Sequence, residues 1–461
     1  MKQVFLFILI TFFSIISVKA QKVGLVLSGG GAKGLAHIAV IRALEENGIP
    51  IDYIAGTSMG AIVAGLYAAG YSPDEMEKLF KSEQFKFWST GQIQEEYRYF
   101  FSKREDDPSW FELDLLKKAD KLKIMPPTSL IPEEQMDFAF MEMFSSVNAI
   151  NKGDFNKLFV PYFCIATDVY NNRKVVLRQG DLGEAIRASM TFPLYFKPIE
   201  IDGSLFFDGG IVNNFPVQDM KELFNPDVII GHNVANNPEK PDPDNIMAQI
   251  ENMIMQKTDY TIDPQDGIFM ETTFDNVGLL DFKKIDQIEK AGYETTNKSI
   301  EIIKNRINRR IRPTELQQKR QQFNLKKPTM NFQNVQVEGV TDGMQRQYII
   351  QSLKHNTNIV DLKELKKEYF KLVADPQIKS LRPVARYNPE TGYFDLHVMA
   401  KQNTPMQIKF GANVSTRPIN QGFISGDYRI FNKRSYTLST NMYFGRFYSS
   451  IKAGARIDYP T

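Results

Sequence analysis

The 461-residue sequence contains one cysteine and four histidines, and its charges nearly cancel, with 56 basic and 54 acidic side chains. The single cysteine, Cys164, excludes an internal disulfide, and its apolar neighbours predict a buried, unreactive thiol. The balanced charge argues against a nucleic-acid-binding role that depends on net charge. Because no histidine, cysteine and carboxylate cluster has metal-ligand spacing, we expect no metal and no cofactor, although calcium bound through separate loops stays open.

A long apolar run occurs only at the N-terminus. Lys2 is followed by a largely apolar segment from Val4 to Val18 and by the small residue Ala20. This pattern predicts a secretory signal peptide over residues 1–20, and the run is short for a transmembrane anchor. No later stretch has the ~18 continuous apolar residues of a spanning helix. We therefore expect an exported protein.

A G-x-S-x-G pentapeptide, Gly56–Gly60, lies between an apolar strand at Tyr53–Ala55 and a small-residue helix at Ala61–Gly70. This context predicts a nucleophile elbow, in which Ser58 sits on a sharp strand-to-helix turn with its hydroxyl exposed. The alternative is a flexible turn that carries a solvated serine.

A glycine-rich segment, Ser28–Gly34, follows the buried strand Val23–Leu27 and precedes an amphipathic helix. Its glycines allow backbone N–H groups to converge on an oxyanion or a phosphate. A dinucleotide site is rejected because the acidic Asp52 precedes the second strand rather than ending it, and Leu35 after Gly34 breaks the Walker pattern. An oxyanion hole beside Ser58 is the better interpretation, and a tight turn without a ligand is the alternative.

The nucleophile also needs a base. His37 lies within the first helix and is more typical of a packed core residue, and His232 near a strand end is a weaker candidate. His355 and His397 fall in another region of the chain. Asp208 ends an apolar strand before two glycines and can serve as the base if it lies within hydrogen-bond reach of the serine. Taken alone, its Asp-Gly-Gly segment indicates a β-turn.

Together, these motifs resemble the patatin-like phospholipases. The glycine-rich run, the pentapeptide and Asp208-Gly209-Gly210 occur in that family's order, and the resemblance extends over about residues 23–311, with Ala166–Asp168 and Ala188–Pro193 as lesser matches. It implies a three-layer α/β/α fold, hydrolysis of lipid acyl esters and a Ser58–Asp208 dyad without histidine. It also implies an oxyanion hole formed by Gly29, Gly30, Gly31 and Gly34. Lys33 stands where many members carry arginine. A lysine keeps the positive charge but lacks the planar guanidinium group.

Residues 91–147 form a less regular insertion after the nucleophile helix. It is rich in aromatic and charged residues, and Ile131–Phe144 is typical of a helix. Such an insertion can act as a lid over the substrate or can pack as a surface excursion, and both interpretations stay open.

The basic segment Lys304–Lys327 predicts a terminal helix and a linker. Residues 331–402 then show a β-α-α-β-β order, with Asp361 and Glu364 as a capping box. This order resembles a POTRA module, the type that precedes Omp85-type outer-membrane barrels. An unrelated small α+β domain is the alternative.

Four segments after residue 403 alternate apolar and polar residues, as lipid-facing barrel strands do. They are Met406–Val414, Gly422–Phe431, Tyr436–Phe444 and Ile451–Tyr459. Four strands cannot close a barrel, which takes at least about 8. We therefore expect that the chain is a piece of a longer protein. A soluble four-stranded sheet is the alternative.

These observations predict five segments: a signal peptide at 1–20, a patatin-like α/β hydrolase at 21–311, a linker at 312–330, a POTRA-like domain at 331–402, and an incomplete barrel at 403–461. The expected function is a phospholipase A-type hydrolase at the outer membrane, with the hydrolase domain periplasmic or on the cell surface. The expected partners are a lipid ester, a membrane and outer-membrane assembly proteins, with no nucleic acid. The oligomeric state stays open. The rival is an assembly or translocation component in which the hydrolase is an accessory.

Overall fold

The computed structural model describes residues 20–97, 107–118, 121–125, 129–237, 240–244, 246–355, 357–414, 420–432 and 434–458. The predicted signal peptide lies almost entirely outside the described residues. The chain divides into two compact units. The first unit draws on residues 1–76, 159–165 and 210–323, and the second on residues 77–158, 166–209 and 324–461.

Strands and helices are numbered in chain order. The strands are β1 Val23–Leu27, β2 Tyr53–Thr57, β3 Ser109–Lys118, β4 Lys121–Met125, β5 Tyr162–Asp168, β6 Arg173–Leu177, β7 Ile199–Ile201, β8 Ser204–Asp208, β9 Val228–Asn233, β10 Gly267–Glu271, β11 Asn331–Glu338, β12 Val360–Asp361, β13 Ile378–Asn388, β14 Tyr393–Gln402, β15 Met406–Asn413, β16 Gln421–Phe431, β17 Ser435–Gly445 and β18 Ser449–Asp458. The helices are α1 Ala36–Glu46, α2 Met59–Ala68, α3 Pro73–Phe80, α4 Glu83–Thr90, α5 Glu134–Asn151, α6 Leu182–Ser189, α7 Val217–Phe224, α8 Ile246–Ile254, α9 Ile285–Arg306, α10 Pro313–Asn324, α11 Gly343–Lys354 and α12 Leu362–Val373.

The first unit is built on a parallel sheet. Its strands pair in the order β10-β9-β1-β2-β5, where β5 takes part through residues 162–165. β1 and β9 are buried along their whole lengths, as expected for parallel strands that are covered on both faces. This confirms the predicted α/β class for this unit.

Two helices of the first unit show why small residues recur in its sequence. All ten residues of α2 are buried, which suits its nearly uninterrupted apolar sequence. α9 carries Gly292 against α1, where a side chain at that position would contact the carbonyl oxygen of Ala36. The two helices can therefore pack closely only without a Cβ at residue 292.

The second unit contains the predicted β-α-α-β-β module as a four-stranded sheet in the order β12-β11-β14-β13, with helices α11 and α12. Asp342 and Asp361 cap the two helices through their carboxylates, as the sequence predicts for Asp361. The two-residue strand β12 is an addition that sequence alone did not reveal. The secondary-structure order is confirmed, whereas assignment to the POTRA family stays a prediction.

Helix α5 contributes to the same hydrophobic core as this module, because Phe138 and Met141 cluster with residues of β11, α12 and β14. The helix begins at Glu134 and ends at Asn151, about two turns beyond the predicted end. Helix α5 and the β-α-α-β-β module therefore share one hydrophobic core, although the sequence predicts that they belong to separate domains. Helix α10 lies within the predicted linker.

A six-stranded antiparallel sheet also belongs to the second unit, in the order β18-β17-β16-β15-β3-β4. All four predicted C-terminal strands form. In β17, the apolar side chains Leu438, Met442 and Phe444 are exposed, while the residues between them are partly buried or polar. The insertion supplies β3, which pairs with β15. The side-chain amide of Gln407 in β15 donates hydrogen bonds to two carboxylates of β3. Local sequence patterns do not reveal this pairing, because its partners lie almost 300 residues apart.

No helix in the described part of the chain is long and apolar enough to span a membrane.

Candidate functional site

Ser58 stands on the turn that joins β2 to α2. Its φ of 55° and ψ of −122° are unusual for a residue with a side chain. Every other residue from 54 to 70 is buried, whereas Ser58 is partly exposed. Strained backbone of this kind is typical of functional positions. The backbone therefore makes a sharp strand-to-helix turn at Ser58, and the role of Ser58 as nucleophile stays a prediction.

The glycines of the pentapeptide permit close backbone contact. A Cβ at Gly60 would lie 2.5 Å from the carbonyl oxygens of both Leu27 and Ser28. A Cβ at Gly56 would collide with the backbone of Gly60. The sharp turn at Ser58 therefore depends on both glycines.

The substitution Gly60→Ala should lower the free energy of unfolding by about 3 kcal/mol, because the overlapping atoms are backbone atoms of Leu27 and Ser28 that cannot rotate away. Chemical denaturation of the purified chain measures this change. Gly343→Ala is the matched control, since a Cβ there meets nothing within 4 Å. Equal unfolding free energies for the two variants would contradict the packing argument.

The glycine-rich loop lies beside the serine. A Cβ at Gly29 would be 2.9 Å from Cβ of Ser58. The N–H of Gly29 donates to Asn214 at both its carbonyl oxygen, 3.2 Å, and its Oδ1, 3.1 Å. The structure thus brings together the predicted nucleophile and the predicted oxyanion loop, and it adds Asn214. The sequence reasoning missed Asn214, whose only signal was a pair of amide residues in a mostly apolar segment.

The four loop glycines differ in what surrounds them. The N–H of Gly29 is already engaged by Asn214, and a Cβ at Gly34 would lie 2.5 Å from Cγ of Met59, so Gly34 serves close packing. Gly30 and Gly31 are the N-cap and first residue of a 3-10 helix, Gly31–Leu35, where N–H groups have no partner within the helix. Gly31 has a φ of 55°. Of the four predicted oxyanion-hole glycines, Gly30 and Gly31 therefore stay the candidates for donating to an oxyanion.

His37 and His232 form a buried pair. Their Nδ1 atoms lie 2.7 Å apart, Nε2 of His37 lies 2.8 Å from the carbonyl oxygen of Ser28, and Nε2 of His232 lies 2.9 Å from Oγ1 of Thr272. Burial lowers the pKa of His37 to about 4 and that of His232 well below its ordinary value. The prediction that His37 is a core residue is confirmed, and His232 has both of its ring nitrogens occupied by the core.

The folded protein should lose stability as the pH falls from 6.5 to about 4, the ordinary and the folded pKa of His37. In this window the unfolded chain binds more protons at His37 than the folded chain does. The stabilisation that comes from His37 is therefore fully present above its ordinary pKa, and it is lost by the time the pH reaches its pKa in the folded chain. His37 alone accounts for about 3 kcal/mol. Urea denaturation across this pH range, compared between the parent and His37→Gln, isolates this contribution. An identical pH dependence in both proteins would contradict it.

Asp208 belongs to the second unit, where it ends β8 and is 2% exposed. Its N–H donates to the carbonyl oxygen of Thr191, 2.8 Å, and its own carbonyl oxygen accepts from Oγ1 of Thr167, 2.8 Å. Arg187 in turn donates to Oγ1 of Thr191 and pairs with the partly buried Asp137 at 2.9 Å. The two lesser segments of the family resemblance thus contain the residues that hold the backbone of Asp208.

Within the described residues, no group of three or more histidine, cysteine or carboxylate side chains is arranged to hold a metal ion.

Residues 25–221 match the family model of the patatin-like phospholipases, a range that contains the glycine loop, Ser58 and Asp208. The patatin-like phospholipase domain-containing protein ZK370.4 of Caenorhabditis elegans is 34% identical over 203 residues, 44% of this chain and 13% of that protein. Lysophospholipase NTE1 of Debaryomyces hansenii is 33% identical over 204 residues, 44% of this chain and 11% of that protein. The chain therefore spans only a small part of these relatives.

Among solved structures, VipD from Legionella pneumophila is 14% identical, with a TM-score of 0.37 over 61% of this chain and 67% of that chain. ExoU from Pseudomonas aeruginosa is 16% identical, with a TM-score of 0.33 over 62% of this chain and 53% of that chain.

The match to the family model supports the predicted resemblance to the patatin-like phospholipases over residues 25–221. The sequence relatives are themselves named as phospholipase or lysophospholipase proteins. The family match ends at residue 221, before the module after residue 331 and before the C-terminal strands.

Proposed function

We propose that this protein is a phospholipase A-type hydrolase that cleaves acyl esters of membrane phospholipids or lysophospholipids. The observation that carries the proposal is Ser58, a strained and partly exposed serine in a buried strand-to-helix turn beside Gly29. A hydroxyl at the N-terminus of α2 also lies where the helix dipole favours developing negative charge. The names of the sequence relatives support a phospholipid or lysophospholipid as the substrate class.

In the proposed reaction, Oγ of Ser58 attacks the ester carbonyl carbon and its proton passes to the carboxylate of Asp208. The N–H groups of Gly30 and Gly31 bind the oxyanion of the tetrahedral intermediate. The leaving alkoxide takes the proton from Asp208. Water then attacks the acyl-enzyme and gives a proton to Asp208. The bond between the acyl carbon and Oγ of Ser58 breaks, the fatty acid leaves, and Asp208 returns the proton to Oγ.

Support for Asp208 as the base comes from its burial, its rigidly held backbone and its place inside the family match. The two buried histidines are occupied by each other and by Ser28 and Thr272, so neither is available to Ser58 as a base. The proposed mechanism therefore uses a Ser–Asp dyad and neither of these two histidines.

We further propose that the protein is exported and that the C-terminal strands belong to an outer-membrane barrel. The exposed apolar side chains that alternate along β17 suit a lipid-facing wall. The hydrolase would then be held at a membrane that contains its substrate.

The test is hydrolysis of fluorogenic phospholipids by the full chain, with diacyl and lysophospholipid substrates compared at equal concentration. We expect release of fatty acid that is inhibited by a fluorophosphonate, which labels activated serines. A folded chain that neither hydrolyses these esters nor reacts with the fluorophosphonate would reject the hydrolase and favour the assembly or translocation role.

A further inference from the structure

The peptide unit between Ser28 and Gly29 is held at both of its polar groups. Its carbonyl oxygen lies 2.8 Å from Nε2 of His37, and its N–H donates to Oδ1 of Asn214, 3.1 Å away. Both His37 and Ser28 are fully buried. The plane of this peptide is therefore fixed by two side chains from opposite directions, immediately before Gly30 and Gly31.

The hydrogen-bond direction of the histidine pair follows from its neighbours. A carbonyl oxygen only accepts, so Nε2 of His37 must carry a proton and donate to Ser28. Because burial keeps both rings neutral, Nδ1 of His37 is then an acceptor, and Nδ1 of His232 donates to it. This leaves Nε2 of His232 as an acceptor for the hydroxyl of Thr272, which lies 2.9 Å from the hydroxyl of Thr295. When both rings are neutral, this is the arrangement of protons in which each of the four ring nitrogens has a complementary partner.

Ser28 is tied to the strand of His232 by further bonds. Its N–H donates to the carbonyl oxygen of His232, 3.2 Å, and its Oγ accepts from the N–H of Val234, 3.0 Å. The loop beyond it consists of three glycines, whose peptide planes rotate with little steric cost. A glycine loop can hold an oxyanion in a fixed geometry only if its neighbours prevent this rotation.

We propose that His37 and His232 are a neutral positioning pair that, with Asn214, fixes the Ser28–Gly29 peptide and thereby aims the N–H groups of Gly30 and Gly31 at the oxyanion. This inference rests on the proposed hydrolase function and deepens it. The pair takes no proton from the substrate and does not contact it. Its effect is expressed in the transition state, where the oxyanion forms, and not in substrate binding.

The experiment compares kcat and KM for a fluorogenic phospholipid in the full chain and three variants. His37→Phe keeps a flat buried ring without the donor, and His37→Gln restores an N–H that can reach Ser28. Thr296→Val is the control, because its buried hydroxyl donates to the carbonyl oxygen of Gly292, 2.9 Å away within helix α9. Thermal unfolding is recorded for each variant.

We expect His37→Phe to lower kcat by about 30-fold and to change KM less than threefold. This loss of kcat is smaller than the 100- to 1000-fold loss that follows removal of a whole oxyanion donor. His37→Gln should recover most of kcat, and Thr296→Val should keep kcat at any comparable loss of thermal stability. If His37→Phe does not fold, the isosteric Thr272→Val, which frees Nε2 of His232, should lower kcat by about threefold to tenfold in its place.

An unchanged kcat in His37→Phe, or an equal loss of kcat in Thr296→Val, would overturn the positioning role while the hydrolase stands. A failure of His37→Gln to recover kcat would also count against it. If the parent chain itself shows no hydrolysis and no fluorophosphonate labelling, the proposed function fails and the inference fails with it.

Discussion

Replacing Ser58 with alanine should lower phospholipid hydrolysis by at least about 10⁴-fold, because loss of the nucleophile removes the covalent step while oxyanion and substrate contacts remain. The side chain of Ser58 forms no capping hydrogen bond to α2, so the turn should persist in the variant. Hydrolysis of a fluorogenic phospholipid and labelling by a fluorophosphonate measure the effect, and both should be lost together.

Ser72→Ala is the matched control, since the hydroxyl of Ser72 hydrogen-bonds Glu75 at the start of α3 and its loss should leave hydrolysis unchanged. Circular dichroism and thermal unfolding establish that both variants are folded. Residual hydrolysis within tenfold of the parent in Ser58→Ala would place the nucleophile elsewhere in the chain.

The substitution Asp208→Asn should lower kcat by about 10³-fold or more, since an amide of equal size cannot accept the proton of the serine. Two of the hydrogen bonds that hold residue 208 use its backbone N–H and carbonyl oxygen, and the substitution leaves these two in place. Fluorophosphonate labelling should slow in parallel with hydrolysis, because both reactions need an activated serine.

Asp202→Asn serves as the control, because Asp202 is exposed in the turn between β7 and β8. It should retain full kcat. A kcat in Asp208→Asn close to that of the parent would remove Asp208 from the mechanism and reopen the search for the base.

Much of the candidate site was predictable because its chemistry is local in sequence. A serine between closely spaced glycines at a strand-to-helix junction is a short-range pattern, and the structure shows the expected turn at Ser58. The C-terminal strands were predictable for the same reason, since a period of two is readable without knowing any partner. The roles of Ser58, Asp208 and the loop glycines stay predictions until the variants are measured.

Other features depend on residues that are far apart in the chain. Asn214 reaches Gly29 across 185 positions, and His37 meets His232 across 195. The pairing of β3 with β15 joins the insertion to the C-terminal sheet. None of these contacts leaves a local pattern. The sequence therefore assigned His37 to the core without identifying its partners, and it predicted a helix in the insertion but not the strand that pairs with β15.

The sequence by itself determined the parallel α/β class, the elbow serine, the glycine loop and the alternating C-terminal strands, because short-range steric and hydrophobic rules decide them. Only the tertiary structure decided which N–H groups of the loop are already engaged, which histidines are neutral and buried, and which strand the insertion joins. These depend on burial and on hydrogen bonds between distant segments, whose energies exist only once the chain has folded.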